Sequence, residues 1–141
     1  MTFHHPMYSP ASTRDNKEMR QQWKPLLDEF KVDLVLSGHD HAYSRTGLVD
    51  SKDIKNIPTG YQQAYDPKIG TVHVVSVSGP KMYKITKGNY AKKLGENTQL
   101  YQIIDIKENE LRFRAYDATG ELYDEFLIKK QTGKPNLLVE K

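Results

Sequence analysis

The chain has 141 residues, of which 37% are hydrophobic, and a formal net charge of +3 at pH 7. No apolar run approaches the roughly 20 residues that a bilayer-spanning helix needs, and this excludes a helical membrane protein. Because there are no cysteines, disulfides and thiolate metal sites are excluded as well, and imidazole and carboxylate remain as metal ligands. The mild positive charge suits anionic substrates and does not require nucleic acid.

A short strand and an amphipathic helix are predicted first. Phe3 lies at the end of the strand, because Pro6 cannot donate to a β-ladder. Ser12 begins the helix as a cap, and Pro25 is expected to kink or restart it. We expect Trp23 to be buried against a sheet, because it shares one helical face with other apolar residues. That face consists of Met19, Trp23, Leu26, Leu27 and Phe30.

A second strand follows the helix. Residues 32–36 are apolar apart from Asp33, which is typical of a central parallel strand. A strand-helix-strand crossover places its two parallel strands close together, so that both end at the same edge of the sheet. Ligand sites of open α/β sheets lie at this carboxyl edge.

The middle of the chain is predicted as a long polar loop over 48–70, a strand over 71–78 and a basic loop over 81–98. We interpret His73 as a half-exposed or hydrogen-bonded strand residue and not as a metal ligand, because it lies in the middle of its strand. The lysines and tyrosines of the basic loop are read as a solvated surface. Two alternatives are a nucleic-acid-binding surface and a position for Lys81 near the site, where it would attract phosphate.

An antiparallel meander is predicted for the last third, with strands over 100–106, 111–116 and 122–128. Residues 1–130 then form a single partial domain, and residues 131–141 form a polar tail that we expect to be frayed. The predicted fold class is α/β: a strand-helix-strand crossover followed by an antiparallel meander.

Two pairs of histidines carry the chemistry. His39 and His41 follow the predicted second strand in Gly38-His39-Asp40-His41-Ala42-Tyr43, and His4 and His5 follow the first. In an extended chain, side chains at i and i+2 share a face about 7 Å apart, which suits two metal ions about 3.5–4 Å apart. Since both strands end at the same edge, three or four imidazoles are predicted to converge there.

These residues resemble two metal motifs of a known family. Thr2-Phe3-His4-His5-Pro6-Met7-Tyr8-Ser9 and Gly38-His39-Asp40-His41-Ala42-Tyr43-Ser44-Arg45 are similar to the last two motifs of the purple acid phosphatases, Val-x-x-His and Gly-His-x-His. These enzymes belong to the calcineurin-like metallophosphoesterases. The resemblance implies the carboxy-terminal half of a two-sheet sandwich flanked by helices.

The resemblance also implies the chemistry of the parent enzyme. That enzyme would be a binuclear-metal phosphatase, with iron paired with zinc, manganese or iron, that hydrolyses small phosphate esters by means of a metal-bound hydroxide. His4 and His39 would bind one metal ion and His41 the other. His5, beside a ligand, would bind or protonate the leaving group, with packing or a hydrogen bond to a metal-binding side chain as the alternative. An exported parent is implied, whereas nucleic acid and membrane are not expected as partners.

The three earlier family motifs, Asp-x-Gly, Gly-Asp-x-x-Tyr and Gly-Asn-His, do not occur ahead of His4 in this sequence, and the resemblance implies that they lie before residue 1 in the parent. We therefore expect the chain alone to be inactive and to bind at most one ion, weakly, because adjacent cations repel without a bridging carboxylate. Self-association through the truncated sheet is expected. The alternative function is a non-catalytic binding module with a degenerate histidine cluster.

Overall fold

The computed structural model describes residues 1–49, 70–85 and 90–141, so most of the predicted 48–70 loop lies outside the described residues. The described residues form one helix and nine strands. In chain order these are β1 (Thr2–Phe3), α1 (Lys17–Glu29), β2 (Leu34–Ser37), β3 (Tyr43–Val49), β4 (Thr71–Val75), β5 (Ala91–Gly95), β6 (Leu100–Lys107), β7 (Glu110–Asp117), β8 (Leu122–Lys129) and β9 (Leu137–Glu140). No helix in the described ranges is long and apolar enough to cross a membrane.

The strands form two sheets, which confirms the predicted α/β class. The first sheet has the order β1-β2-β4-β3-β5, and its strands β1, β2 and β4 are parallel. Thr2 pairs with Leu36, so the crossover through α1 brings the ends of β1 and β2 side by side as predicted. The second sheet is the antiparallel meander β6-β7-β8-β9.

Apolar side chains lie on both faces of the first sheet. On one face, Tyr43 and Val74 pack with Phe113 and Phe126 of the second sheet, so that the two sheets share a core. On the other face, Val35 packs with Leu27 of α1. The molecule is thus layered as helix, mixed sheet and antiparallel sheet, in agreement with the predicted sandwich.

α1 begins at Lys17, later than the predicted cap Ser12 indicated. Asn16, not Ser12, is its N-cap residue, and α1 continues through Pro25 to Glu29 as a single element. The prediction that Pro25 restarts the helix is therefore wrong. The surrounding packing overrides the loss of one backbone donor, which by itself disfavours proline in a helix interior.

The prediction that Trp23 is buried is also wrong. Its side chain is 37% exposed and Phe30 is 74% exposed, whereas the buried residues of α1 are Arg20, Lys24 and Leu27. Arg20 and Lys24 can be buried because their cationic heads donate to backbone carbonyls. Nη1 of Arg20 lies 2.9 Å from Met7 O, and Nζ of Lys24 lies 2.7 Å from Val49 O.

Three strands were not predicted. β3 and β5 pair with each other, and β3 also pairs with β4, although both contain polar residues. β9 lies in the predicted tail over 131–141 and pairs with β8, so residues 137–140 are not frayed. The three strands of the predicted meander are confirmed, each within a residue or so of its expected bounds.

Candidate metal centre

His4 and His39 come together at the carboxyl edge of the parallel strands. His4 directly follows β1, and His39 follows β2 after Gly38, whose N–H donates to His4 O at 3.2 Å. The two rings lie 4.9 Å apart between centroids. Nδ1 of His39 is 3.0 Å from Nε2 of His4. The crossover geometry therefore brings the two side chains together, as the strand assignments predicted.

His5 joins this pair. Its ring centroid is 4.0 Å from that of His39 and 5.0 Å from that of His4. One nitrogen from each of the three rings lies within 4.8 Å of the other two. Among the residues that the structure describes, these three histidines are the one such group of three or more metal-ligating side chains.

The backbone at His39 turns sharply. Its φ is +63°, and Asp40 N donates across it to Gly38 O at 2.7 Å. A three-residue turn with positive φ at a non-glycine residue is uncommon and strained. Such strain is concentrated at ligand-binding sites, where the surrounding structure holds it. The turn brings the His39 ring to His4.

His41 lies outside the group of three. Its Nδ1 is 2.9 Å from Lys81 O, and its ring stacks on Tyr83 at 4.8 Å between centroids. Because a carbonyl oxygen can only accept, Nδ1 carries the proton and Nε2 keeps a free lone pair. A hydrogen bond of this kind orients a metal-binding imidazole. The loop after β4 thus fixes the orientation of His41, a role that the sequence did not indicate.

Asp40, between the two histidines, points into the protein. It is fully buried, accepts a hydrogen bond from Ser9 Oγ and forms an ion pair with Arg14 at 2.9 Å. It therefore connects the His39 turn to the segment that follows His5. With Asp40 engaged by Ser9 and Arg14, the three-histidine group has only imidazole nitrogens as its donor set.

The segment after His5 is held by three more donors. Asn16 Nδ2 donates to Pro6 O at 2.6 Å, Arg20 donates to Met7 O, and the Tyr90 hydroxyl donates to Ser9 O. Burial raises the pKa of Tyr90, so it remains a donor at neutral pH. Apolar periodicity cannot reveal these contacts, because each donor reaches a backbone carbonyl.

A buried ion pair anchors the strand that follows His41. Arg45 donates to both carboxylate oxygens of Asp124 at 2.7 and 3.2 Å, and the Tyr43 hydroxyl donates to the same group at 2.7 Å. Glu140 accepts from Arg45 at 2.6 Å. These contacts join β3 to β8 and β9 and fix the start of the strand that follows His41.

The pKa values of His39 and His73 are both lowered, by different surroundings. Partial burial, followed by the neighbouring charges of His5 and Arg14, lowers the pKa of His39. His73 is 4% exposed, its ring lies 4.7 Å from that of Tyr8, and its Nε2 has no hydrogen-bond partner among the described residues. Burial, with a smaller effect of Lys24, keeps the His73 pKa well below its usual range. His73 is therefore buried and not half-exposed, and its backbone N–H donates to Thr46 Oγ1 at 2.9 Å, as the hydrogen-bonded alternative predicted.

Nδ1 of His39 and Nε2 of His4 are hydrogen-bonded to each other, and their separation is also one that two ligands of a single ion adopt. Two bonds of about 2.0–2.1 Å that meet at about 90–110° place their nitrogens about 3 Å apart, close to the observed 3.0 Å. All-imidazole donor sets suit zinc, iron and related ions. His41 is the described residue that the resemblance assigns to a second ion.

No family model matches the chain. Purple acid phosphatase 7 of Arabidopsis thaliana is 23% identical over 135 residues, which is 92% of this chain and 34% of that protein. Purple acid phosphatase 23 of the same plant is 30% identical over 86 residues, 60% of this chain and 16% of that protein. An uncharacterized protein of Mycobacterium tuberculosis is 38% identical over 66 residues, 43% of this chain and 12% of that protein.

The fold is similar to that of purple acid phosphatase PPD1 isolated from yellow lupin (Lupinus luteus) seeds. The TM-score is 0.60 at 20% identity, over 91% of this chain and 24% of that chain. The chain spans 12% to 34% of the length of these curated relatives. It is similar to the C-terminal region of purple acid phosphatases and shares their α/β fold.

Proposed function

We propose that this chain is the histidine-bearing part of a binuclear-metal phosphoesterase that hydrolyses small phosphate esters. The observation that carries the proposal is the pair of imidazole nitrogens, Nε2 of His4 and Nδ1 of His39, 3.0 Å apart at the ends of parallel strands β1 and β2. The similarity of the surrounding fold to a purple acid phosphatase supports it.

In this proposal His4 and His39 hold one metal ion, and the free Nε2 of His41 is a ligand of a second. When bound, such ions lower the pKa of a water molecule and supply positive charge to the transition state of phosphoryl transfer. Two hydrogen bonds within this chain position the histidines. The hydrogen bond to Lys81 O sets the tautomer of His41, and Asp40 keeps the two histidine loops together.

The electrostatic surroundings suit an anionic ester. Nζ of Lys81 lies 5.2 Å from the centre of the Tyr83 ring on which His41 stacks, so its positive charge is close to the site. The proposal that His5 binds or protonates the leaving group stays a prediction, and its ring lies beside His39, where an ester oxygen could reach it.

The chain by itself is not proposed to be a competent phosphatase, because the three-histidine group has no carboxylate to bridge two cations. Hydrolysis of an aryl phosphate by the purified chain, with zinc, manganese or iron added, should stay far below about 1 per second. Turnover above that rate that is abolished by His39→Ala would contradict this expectation.

The complete product of the encoding gene tests the phosphoesterase proposal itself. We expect it to hydrolyse the aryl phosphate and to lose this activity with His39→Ala and with His41→Ala. The same product without activity on any phosphate ester would favour the alternative, a binding module with a degenerate histidine cluster. The gene sequence before residue 1 gives an independent answer, since an intact Gly-Asp-x-x-Tyr and Gly-Asn-His are required for the enzyme.

A further inference from the structure

We propose that this chain forms a mononuclear metal site of its own, with His4, His5 and His39 as ligands and His41 left out. This inference shares with the phosphoesterase proposal the ion that His4 and His39 hold, and it is tested without ester hydrolysis. It differs in that His5 becomes a ligand of the ion that His4 and His39 hold, and in that a single ion is bound.

The distances favour this group over one that includes His41. Nitrogens from His4, His5 and His39 lie within 4.8 Å of one another, and two of them are already 3.0 Å apart. In tetrahedral zinc sites with bonds of about 2.0–2.1 Å, ligand nitrogens lie about 3.3 Å apart. The side chains of His4 and His5 are exposed, so rotation about their own χ angles can close the remaining gap.

His41 is occupied elsewhere. Its Nδ1 is bonded to Lys81 O, its ring is stacked on Tyr83, and its backbone oxygen accepts from Tyr83 N at 3.0 Å. Moving this ring to the other three would break the contacts of the loop after β4. By contrast, the rings of His4, His5 and His39 already contact one another.

A three-imidazole site has a defined chemical class. Three histidine ligands and one open position are the coordination of catalytic zinc, with the fourth position left for water or a small anion. Because an imidazole nitrogen that is bound to an ion has no proton to donate, ligation through His5 and proton donation from the same nitrogen exclude each other. A measurement of ion binding by His5 therefore distinguishes its role as a ligand from its role as a proton donor.

The test is titration of the purified chain with Zn²⁺ by calorimetry and with Co²⁺ by visible absorption. We expect one ion per chain and the intense absorption bands of four-coordinate Co²⁺. His5→Ala should weaken Zn²⁺ binding at least about tenfold, since even the loss of an outer-shell partner costs about 10–100-fold. His41→Ala should weaken binding less than His5→Ala does. Asp105→Ala, which removes an exposed carboxylate of the second sheet, is the control and should leave the affinity within about twofold.

Several results would overturn the proposal: no Zn²⁺ binding by the wild-type chain, two ions per chain, or a loss with His41→Ala that equals the loss with His5→Ala. An unchanged affinity of His5→Ala would do the same. Circular dichroism of each variant verifies that the fold is intact, and because His5 is exposed we expect its substitution to leave the unfolding temperature unchanged. None of these readouts involves ester hydrolysis, so failure here leaves the phosphoesterase proposal standing.

Discussion

The two sheets use their charged residues in different ways. In the antiparallel second sheet, charged side chains pair across neighbouring strands on a solvated face, as Arg114 does with Asp105 and Lys129 with Glu110. Around the first sheet, Arg20, Lys24 and Asp40 are buried. Each has an ion-pair partner, and each also bonds a backbone carbonyl or a serine hydroxyl of a neighbouring segment. Exposed pairs contribute about 0–1 kcal/mol each, whereas a buried group that loses its partner is costly.

The comparison shows that Arg20, Lys24 and Asp40 are buried where neighbouring segments must be held in place, whereas the buried Arg45–Asp124 pair joins two strands. The meander strands are connected by short turns and pair along their whole lengths, so their position follows from local pairing. The histidine loops have no such ladder, and buried donors and acceptors fix them instead.

The largest effect should come from the junction between the two sheets. Asp124→Ala leaves Arg45 buried, with the more exposed Glu140 as its remaining partner, and should lower the free energy of unfolding by about 3–5 kcal/mol. Asp105→Ala, in an exposed pair on the second sheet, should cost no more than about 1 kcal/mol. Urea denaturation of both variants measures the difference, and equal losses would contradict the comparison.

A smaller contrast is expected within α1. Leu27 is 2% exposed, so Leu27→Ala should cost about 2–5 kcal/mol. Trp23→Ala should cost about 0.5–1.5 kcal/mol, since Trp23 is partly solvated and packs edge-to-face on the Phe3 ring at 5.1 Å between centroids. Thermal unfolding gives both values. Acrylamide should quench Trp23 fluorescence readily in the folded protein, and strong protection from quenching would mean that the exposed face is assigned wrongly.

His73 should make the first sheet sensitive to acid. Its lowered pKa keeps it neutral in the fold, next to Tyr8 and Lys24, while the unfolded chain binds a proton below about pH 6.5. The unfolded state then binds more protons, so this contribution to stability is complete above about pH 6.5 and is lost as the pH falls. The loss should approach about 1.4 kcal/mol per pH unit. His73→Gln should flatten the slope between pH 6.5 and 5, and an unchanged slope would show that other groups cause it.

The weakest expected effect is self-association next to the edge strand β1. Trp23 packs on Phe3 of this strand, and the exposed residues Leu26 and Phe30 continue the apolar face of the helix. We expect the apparent mass in sedimentation velocity to rise with concentration, and Phe30→Lys to reduce that rise. Ile106→Lys, which alters a residue that is 74% exposed on the second sheet, is the control. An equal reduction by the control would place the contact elsewhere.

The sequence predicted part of the site well. The apolar run before Gly38 indicated a parallel strand, and the crossover rule then placed His4 beside His39 without any tertiary information. The sequence did not show that His5, rather than His41, lies beside His4 and His39. Both residues follow a strand end, and spacing alone allows either one to reach the edge of the sheet.

The sequence alone determined the elements whose signal is local: the crossover β1–α1–β2, the alternating strands of the meander, and the edge of the sheet at which the histidines meet. Only the tertiary structure decided which face of α1 is buried, since the buried Arg20 and Lys24 find their carbonyl partners far along the chain. It also decided that β3, β5 and β9 are strands, because each depends on a partner strand rather than on its own apolar pattern. Hydrophobic periodicity predicts which apolar residues leave water. A buried polar group instead needs a hydrogen-bond partner, and such partners come together only when the chain folds.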